Sequence, residues 1–361
     1  MVLDVTDIFR ICSEKQREGR KVINAHIGTP SHPPPASVKE LLAKVGEVGH
    51  SYLPFEGMSE TRERISRFAR RFLSRDLEPE RIFVTNGGAQ ALTSVLMVLR
   101  RRKILLPAPG FTQYFDNARM MGLDFRTYDP TSEDIVSEVL GRLGDAGVVL
   151  INYPNNPTGY VQGNDSMEGL WEELRRRGVV LINDAAYSQI YFESKPRLVG
   201  DVIIDTFSKT LALPGLRLGY VYWGIGEERG IFDAVYVTSA GVSEVSQLLL
   251  NMLLDALSED YLERARSHYR RKRDALIGLM REFGFSFPEP KGAFYVFATH
   301  PKLKDSGELA ERLLRREPVV GIVPGSVFMG DARYFRVCYS LLEEGEAEEM
   351  VRSILDELGA R

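Results

Sequence analysis

Lys209 sits in the run Asp205-Thr206-Phe207-Ser208-Lys209-Thr210, and Leu213-Pro214-Gly215-Leu216-Arg217-Leu218-Gly219-Tyr220 follows. Two polar clusters precede it, Asn155-Asn156-Pro157-Thr158-Gly159 and Asp184-Ala185-Ala186-Tyr187. Residue types in this order serve one set of chemical needs. They offer an amine to capture an aldehyde, a carboxylate to keep a ring nitrogen protonated, donors for a phenolic oxygen, and a guanidinium with hydroxyls to anchor a phosphate. One cofactor carries all four groups, pyridoxal 5′-phosphate.

A free ammonium is neither nucleophile nor base, so the surroundings of Lys209 must favour the neutral amine. Burial and a nearby cation such as Arg217 act in that direction. A lone lysine after a strand is usually a surface residue; the hydroxyl-rich lead and the arginine that follows favour the chemical reading. Asp184 ends the apolar run Val179-Val180-Leu181-Ile182-Asn183. A carboxylate at the end of a buried strand is costly without a partner, and a protonated pyridine nitrogen supplies one. The competing reading is a helix N-cap; Tyr187, three residues on, favours the cofactor. Tyr187 and Asn156 are donors for the phenolate oxygen, although Asn-Pro-Thr-Gly is also good turn chemistry. In Asn86-Gly87-Gly88-Ala89-Gln90 small residues let backbone N–H groups at a helix start approach a phosphate, and Thr206, Ser208 and Arg217 add side chains for the same dianion. Alone, the Gly-Gly pair reads equally as a tight turn. Phe111, in Pro109-Gly110-Phe111-Thr112-Gln113-Tyr114, could stack on the pyridine face or belong to the core. Arg336, in the otherwise apolar Phe335-Arg336-Val337-Cys338, either points to solvent or presents a planar fork to a substrate carboxylate.

The elements that must hold these residues follow from periodicity. Apolar runs at 81–85, 104–106, 148–151, 179–182, 202–204 and 218–222 read as strands, and 89–101, 112–121 and 166–177 as helices. Such alternation predicts an α/β fold, a mostly parallel sheet of about seven strands sandwiched by helices. Ligands of such sheets bind beyond the carboxyl ends of the strands, where the motifs fall. After residue 243 the pattern changes. A helical stretch at 243–283, strands at 319–323 and 334–338, and helices at 307–316 and from 343 predict a smaller α+β domain. The expected division is 1–35 as an N-terminal segment joining the small domain, 36–250 as the large cofactor-binding domain, and 251–361 as the small C-terminal domain.

The 361 residues exceed a usual single core, in keeping with two lobes. A hydrophobic fraction of 44% and net charge of −4 fit a globular protein with no nucleic-acid partner. Cys12 and Cys338 form neither a disulfide framework nor a metal site. No run reaches the length of a membrane span, and the first residues lack the pattern of a signal peptide. The expected location is the cytoplasm.

Together these clusters resemble the class I/II aminotransferases of pyridoxal-phosphate fold type I, from about Gly28 to Arg336. By this resemblance Lys209 is the Schiff-base lysine, Asp184 the ring-nitrogen partner, and Asn156 and Tyr187 the phenolate donors. Gly88, Ala89, Thr206, Ser208 and Arg217 bind the phosphate, and Phe111 stacks on the ring. Tyr52, in Tyr52-Leu53-Pro54-Phe55-Glu56-Gly57, matches a tyrosine that reaches the phosphate of the neighbouring subunit, which implies a homodimer with shared active sites. Arg336 matches the arginine for the substrate α-carboxylate, and Gly28 lines the pocket beside it, with Asn156. Ala89 stands where some aspartate-specific relatives carry a lysine, and Thr29-Pro30-Ser31-His32 departs from the usual Glu-Pro-Asp. A histidine in such a loop, His32, reads as solvated. The implied activity is transfer of an amino group between an L-amino acid and a 2-oxo acid by a ping-pong mechanism. A lyase or amino acid decarboxylase on the same scaffold is the alternative. A non-catalytic regulator would carry an added DNA-binding domain, for which too few residues precede the cofactor lobe.

Overall fold

The structure is a computed structural model that describes residues 3–46 and 48–360. In chain order its strands are β1 (Val22–Asn24), β2 (Ile82–Thr85), β3 (Ile104–Pro107), β4 (Phe125–Tyr128), β5 (Val148–Asn152), β6 (Val180–Asp184), β7 (Val202–Thr206), β8 (Gly219–Trp223), β9 (Tyr295–Ala298), β10 (Val319–Gly321), β11 (Val323–Pro324) and β12 (Phe335–Cys338). The main sheet has seven strands in the order β2-β8-β7-β6-β5-β3-β4. Neighbours run parallel except at β8, which is antiparallel to both β7 and β2.

Every residue of β5, β6, β7 and β8 is buried. That is why these strands read as near-continuous apolar runs: helices cover both faces. Side chains alternate between the two faces. Val202, Ile204 and Val221 pack with Leu92, Val95 and Ile231 of the helices Gly87–Leu99 and Arg229–Ser239. Ile203 and Tyr220 pack on the other side with Phe68, Leu249 and Leu253. Thr85, Asn152, Asp184 and Thr206 end their strands at one edge of this sheet.

The second lobe holds the antiparallel sheet β11-β12-β9 and the parallel pair β1-β10. The helix Val5–Arg17 contributes Ile8 and Cys12 to a cluster with Val319, Val323 and Phe328.

Four features differ from the sequence reading. The stretch at 243–283 is two helices, Glu244–Asp255 and Glu259–Glu282, the second capped by Ser258 accepting from the Tyr261 amide. The first packs Leu249, Leu250, Leu253 and Leu254 on the large sheet, while the second sends Tyr269, Leu276 and Met280 into the small-lobe core. The expected division at residue 250 thus falls inside a helix, and the seam we propose is 256–258. Residues 319–323 split between β10 and β11 in different sheets. The edge strand β4 has a mixed, partly exposed pattern, so it carries little apolar signal. The reversed direction of β8 is set by its pairing, which no local pattern encodes.

Gly219 opens β8 opposite both Thr206 and Thr85. A Cβ there would lie 2.7 Å from the Asp205 carbonyl and 2.8 Å from the Gly87 carbonyl carbon. Both are backbone, so relaxation must move β7 or the start of the helix Gly87–Leu99. Gly219→Ala is expected to destabilise the protein by about 1–3 kcal/mol and to weaken cofactor binding, measured by thermal unfolding and cofactor titration.

Candidate active site

A cleft of about 280 Å³ opens at the carboxyl ends of the parallel strands. Gly28, Gly88, Ala89, Phe111, Asn156, Asp184, Tyr187, Thr206, Ser208, Lys209, Arg217 and Arg336 all line it. Tyr52 does not; its side chain is 91% exposed on this chain.

Lys209 rides on a single helical turn, Phe207–Thr210, capped by Thr206 at the end of β7. Its Nζ donates to the Gly28 carbonyl at 2.6 Å and lies 5.9 Å from the centre of the Phe294 ring. Burial, aided by Arg336 and Arg217, lowers its pKa to about 8. The amine is therefore far easier to deprotonate than a free lysine.

Asp184 is buried at the end of β6. Its Oδ2 accepts from the Tyr114 hydroxyl at 2.6 Å and its Oδ1 from the Ala186 amide at 3.1 Å. Burial raises its pKa, and those two hydrogen bonds oppose the rise. Asn152 ties the neighbouring strand ends together: its Nδ2 donates to the Asp184 carbonyl at 2.9 Å, and its Oδ1 accepts from the Asn156 amide at 2.9 Å.

Arg336 is buried, not solvated. Its Nη1 donates to Asn156 Oδ1 at 3.0 Å and its Nη2 to the His26 carbonyl at 2.5 Å. The guanidinium lies 4.7 Å from the Tyr295 ring centre and 4.8 Å from that of Phe328, while Nε is buried without a partner. Because Arg336 takes the oxygen of Asn156, the amide NH₂ is the end left for a ligand. The Tyr187 hydroxyl meets that of Tyr295 at 2.6 Å.

At the other end, the helix Gly87–Leu99 begins without a side-chain cap, so its first N–H groups remain open to an anion. Gly87 has φ +79°, and a Cβ there would lie 2.7 Å from Arg217 Nη2. Only glycine allows both that conformation and that approach. The Thr206 hydroxyl lies 3.0 Å from that of Ser208 and donates to the Leu218 carbonyl at 2.9 Å.

The sequence reading gave no role to three side chains that matter here: Tyr114 on Asp184, Tyr295 on Tyr187, and His26, which lines the cleft and whose pKa falls to about 4 through burial and the Arg336 charge. The only hint for Tyr114 was its place one helical turn after Phe111. His32 is neither solvated nor in the cleft. It is buried, with Nδ1 2.6 Å from the Tyr269 hydroxyl.

The residues present fit pyridoxal 5′-phosphate. Uncapped N–H groups, hydroxyls and a guanidinium suit its phosphate. A buried carboxylate with two neutral donors lacks the cation that a protonated pyridine nitrogen provides. An amine with a lowered pKa suits its aldehyde.

Fold and cleft thus define a pyridoxal-phosphate enzyme that acts on amino acids. The family described as aminotransferase class I and II matches residues 20–354. The chain belongs to that family and depends on pyridoxal 5′-phosphate. An aspartate aminotransferase of Thermotoga maritima is 28% identical, covering 87% of this chain and 85% of its own. Aromatic-amino-acid aminotransferase 2 of Thermococcus litoralis is 27% identical, with 92% and 90% covered. A solved structure of an aspartate aminotransferase from Thermotoga maritima matches with a TM-score of 0.86 at 26% identity, over 99% of this chain and 98% of that one.

Removing the Tyr114 hydroxyl takes from Asp184 the stronger of the two bonds that favour its charge. Tyr114→Phe should raise the Asp184 pKa further, weaken cofactor binding about 10-fold (a charge-assisted hydrogen bond) and move the acid limb of activity to higher pH. Cofactor titration of the apo-protein and a pH–rate profile measure both effects.

Proposed function

We propose that this enzyme moves an amino group between an L-amino acid and a 2-oxo acid in two half-reactions, as a cytoplasmic homodimer with shared sites. The observation that carries the reading is that Lys209, Asp184 and Arg336 reach one cleft from three separate elements, in two lobes.

When bound, the cofactor supplies an aldehyde that condenses with amines and a cationic ring that takes up the electron pair left when a bond at Cα breaks. Asp184 holds the proton on the ring nitrogen by remaining a carboxylate beside it. Tyr187 and Asn156 donate towards the phenolic oxygen. The start of the helix Gly87–Leu99, with Thr206, Ser208 and Arg217, grips the phosphate, and Phe111 packs on the ring. Arg336 binds the substrate carboxylate, which fixes which Cα bond stands perpendicular to the ring and so which one breaks. With the cofactor bound and its amine free, Lys209 would accept the Cα proton on Nζ and return it during transfer; a pKa lowered by burial to about 8 suits both roles near neutral pH. A lyase or decarboxylase would use the same groups and finds no feature of its own in the cleft.

Tyr52 supports the dimer. An aromatic side chain 91% exposed on one chain is well placed to serve a neighbour. Buried free thiols at Cys12 and Cys338 suit a reducing compartment.

With a ¹⁵N-labelled amino acid and an unlabelled 2-oxo acid, the label should appear in the newly formed amino acid. Lys209→Ala should still bind cofactor but lose at least about 100-fold in turnover. Ammonia or carbon dioxide released in step with donor loss would replace transfer by the rival chemistry. Separately, Tyr52→Phe should weaken cofactor binding roughly 10-fold, read by equilibrium titration; an unchanged affinity would remove Tyr52 from the shared site.

A further inference from the structure

We propose that Tyr295 is a positioning residue for Tyr187: its hydroxyl donates to the Tyr187 oxygen and so leaves the single Tyr187 proton to point at the phenolic oxygen of the cofactor. This rests on Tyr187 being a donor to that oxygen, and it names the group that sets the donor's direction.

Tyr295 opens β9 and lines the cleft together with Tyr187. Both are buried within this chain, at 1% and 6% exposure. Their oxygens lie 2.6 Å apart, with the rings at 80°. Burial pushes both phenols above the usual tyrosine range, so each hydroxyl keeps one proton at neutral pH. One short contact holds one of those protons. Geometry alone lets either hydroxyl donate; the cofactor's phenolic oxygen decides. If Tyr187 gave its proton to Tyr295, none would remain for the cofactor. The Tyr295 proton would also lie buried without an acceptor, because among the described residues Tyr187 is the one hydrogen-bond partner of that hydroxyl, and such a loss is costly. The opposite direction satisfies both groups. Tyr295 donates to Tyr187, and Tyr187 donates onward. In such a chain each bond strengthens the next.

The surroundings of Tyr295 hold it in this place. A Cβ built on Gly28 would overlap the Tyr295 oxygen, so the hydroxyl is pressed against the residue whose carbonyl accepts from Lys209. The Arg336 guanidinium stands 4.7 Å from the Tyr295 ring centre. Its charge makes both phenols readier to give up a proton. The other ionisable groups near the pair, Cys338 and Tyr269, are kept neutral by burial. Asn156 obeys the same logic, since Arg336 takes its oxygen and leaves its NH₂. Both donors to the phenolic oxygen thus have their direction set by a residue of the smaller lobe.

The test follows the visible absorbance of the cofactor in the holoenzyme as pH is varied. Hydrogen bonds to the phenolic oxygen make it less basic, so losing one lets the linkage between Lys209 and the cofactor keep its proton to higher pH. We expect Tyr187→Phe to raise the midpoint by about 1 unit and Tyr295→Phe by about 0.5 unit. In the Tyr187→Phe background Tyr295→Phe should add nothing, because its effect travels through the Tyr187 oxygen. 3-Fluorotyrosine placed at position 295 keeps the hydroxyl and the packing but is the stronger acid, so it should lower the midpoint. A Tyr295→Phe midpoint equal to wild type, an equal rise with and without the Tyr187 hydroxyl, or no downward shift with 3-fluorotyrosine overturns the proposal. A Tyr187→Phe midpoint equal to wild type removes Tyr187 from the phenolic oxygen and takes this proposal with it.

Discussion

Burial of opposite charges that do not pair with each other governs this molecule. Asp184 and Lys209 face one cleft, yet the carboxylate is held by Tyr114 and Ala186 and the amine by the Gly28 carbonyl. Desolvation pushes the first pKa up and the second down, so each group is held in a state that costs stability. For Lys209 the sign is definite. Between its folded value near 8 and the free value of 10.5 the unfolded chain binds the extra proton. The cost is thus full below about pH 8 and is relieved as pH rises towards 10.5. A cofactor with a cationic nitrogen and an aldehyde relieves both strains at once. This is how binding energy and reactivity come from the same residues.

Neither lobe contains the site. The large sheet contributes Asp184, Lys209 and the open helix start, while β12 and the segment after β1 contribute Arg336 and Gly28. Side-chain hydrogen bonds at the cleft join the halves, Tyr187 with Tyr295 and Asn156 with Arg336. Any shift of the small lobe would therefore move Arg336 and Gly28 relative to Asp184 and Lys209. The N-terminal helix adds Val5 to the cleft wall.

Much of this was legible before any coordinates. Asn156, Asp184 and Lys209 follow strands that announce themselves as apolar runs, and their chemical types are few enough to name a cofactor. Other parts were not legible, each for a physical reason. The strand β4 is half exposed, so it lacks an apolar stretch. The break between Asp255 and Glu259 is marked locally only by the Ser258 cap, and the second helix runs from the large lobe, with Tyr261 and Leu262, into the small one, with Tyr269, Leu276 and Met280. His32 looks like a polar loop residue, and its burial depends on Tyr269 arriving from a distant helix.

The amino-acid order by itself determined which chemistry is present and where along each strand it stands, because those facts are set by residue type and by short-range periodicity. Only the tertiary structure decided which groups meet. The partners of Arg336 and of Lys209 lie 180 and 181 residues away in Asn156 and Gly28, Tyr187 and Tyr295 are 108 apart, and Tyr114 reaches Asp184 from the helix Thr112–Met121. Contacts at such separations are fixed by how layers pack and by what that packing removes from water, and no local pattern in the chain records either.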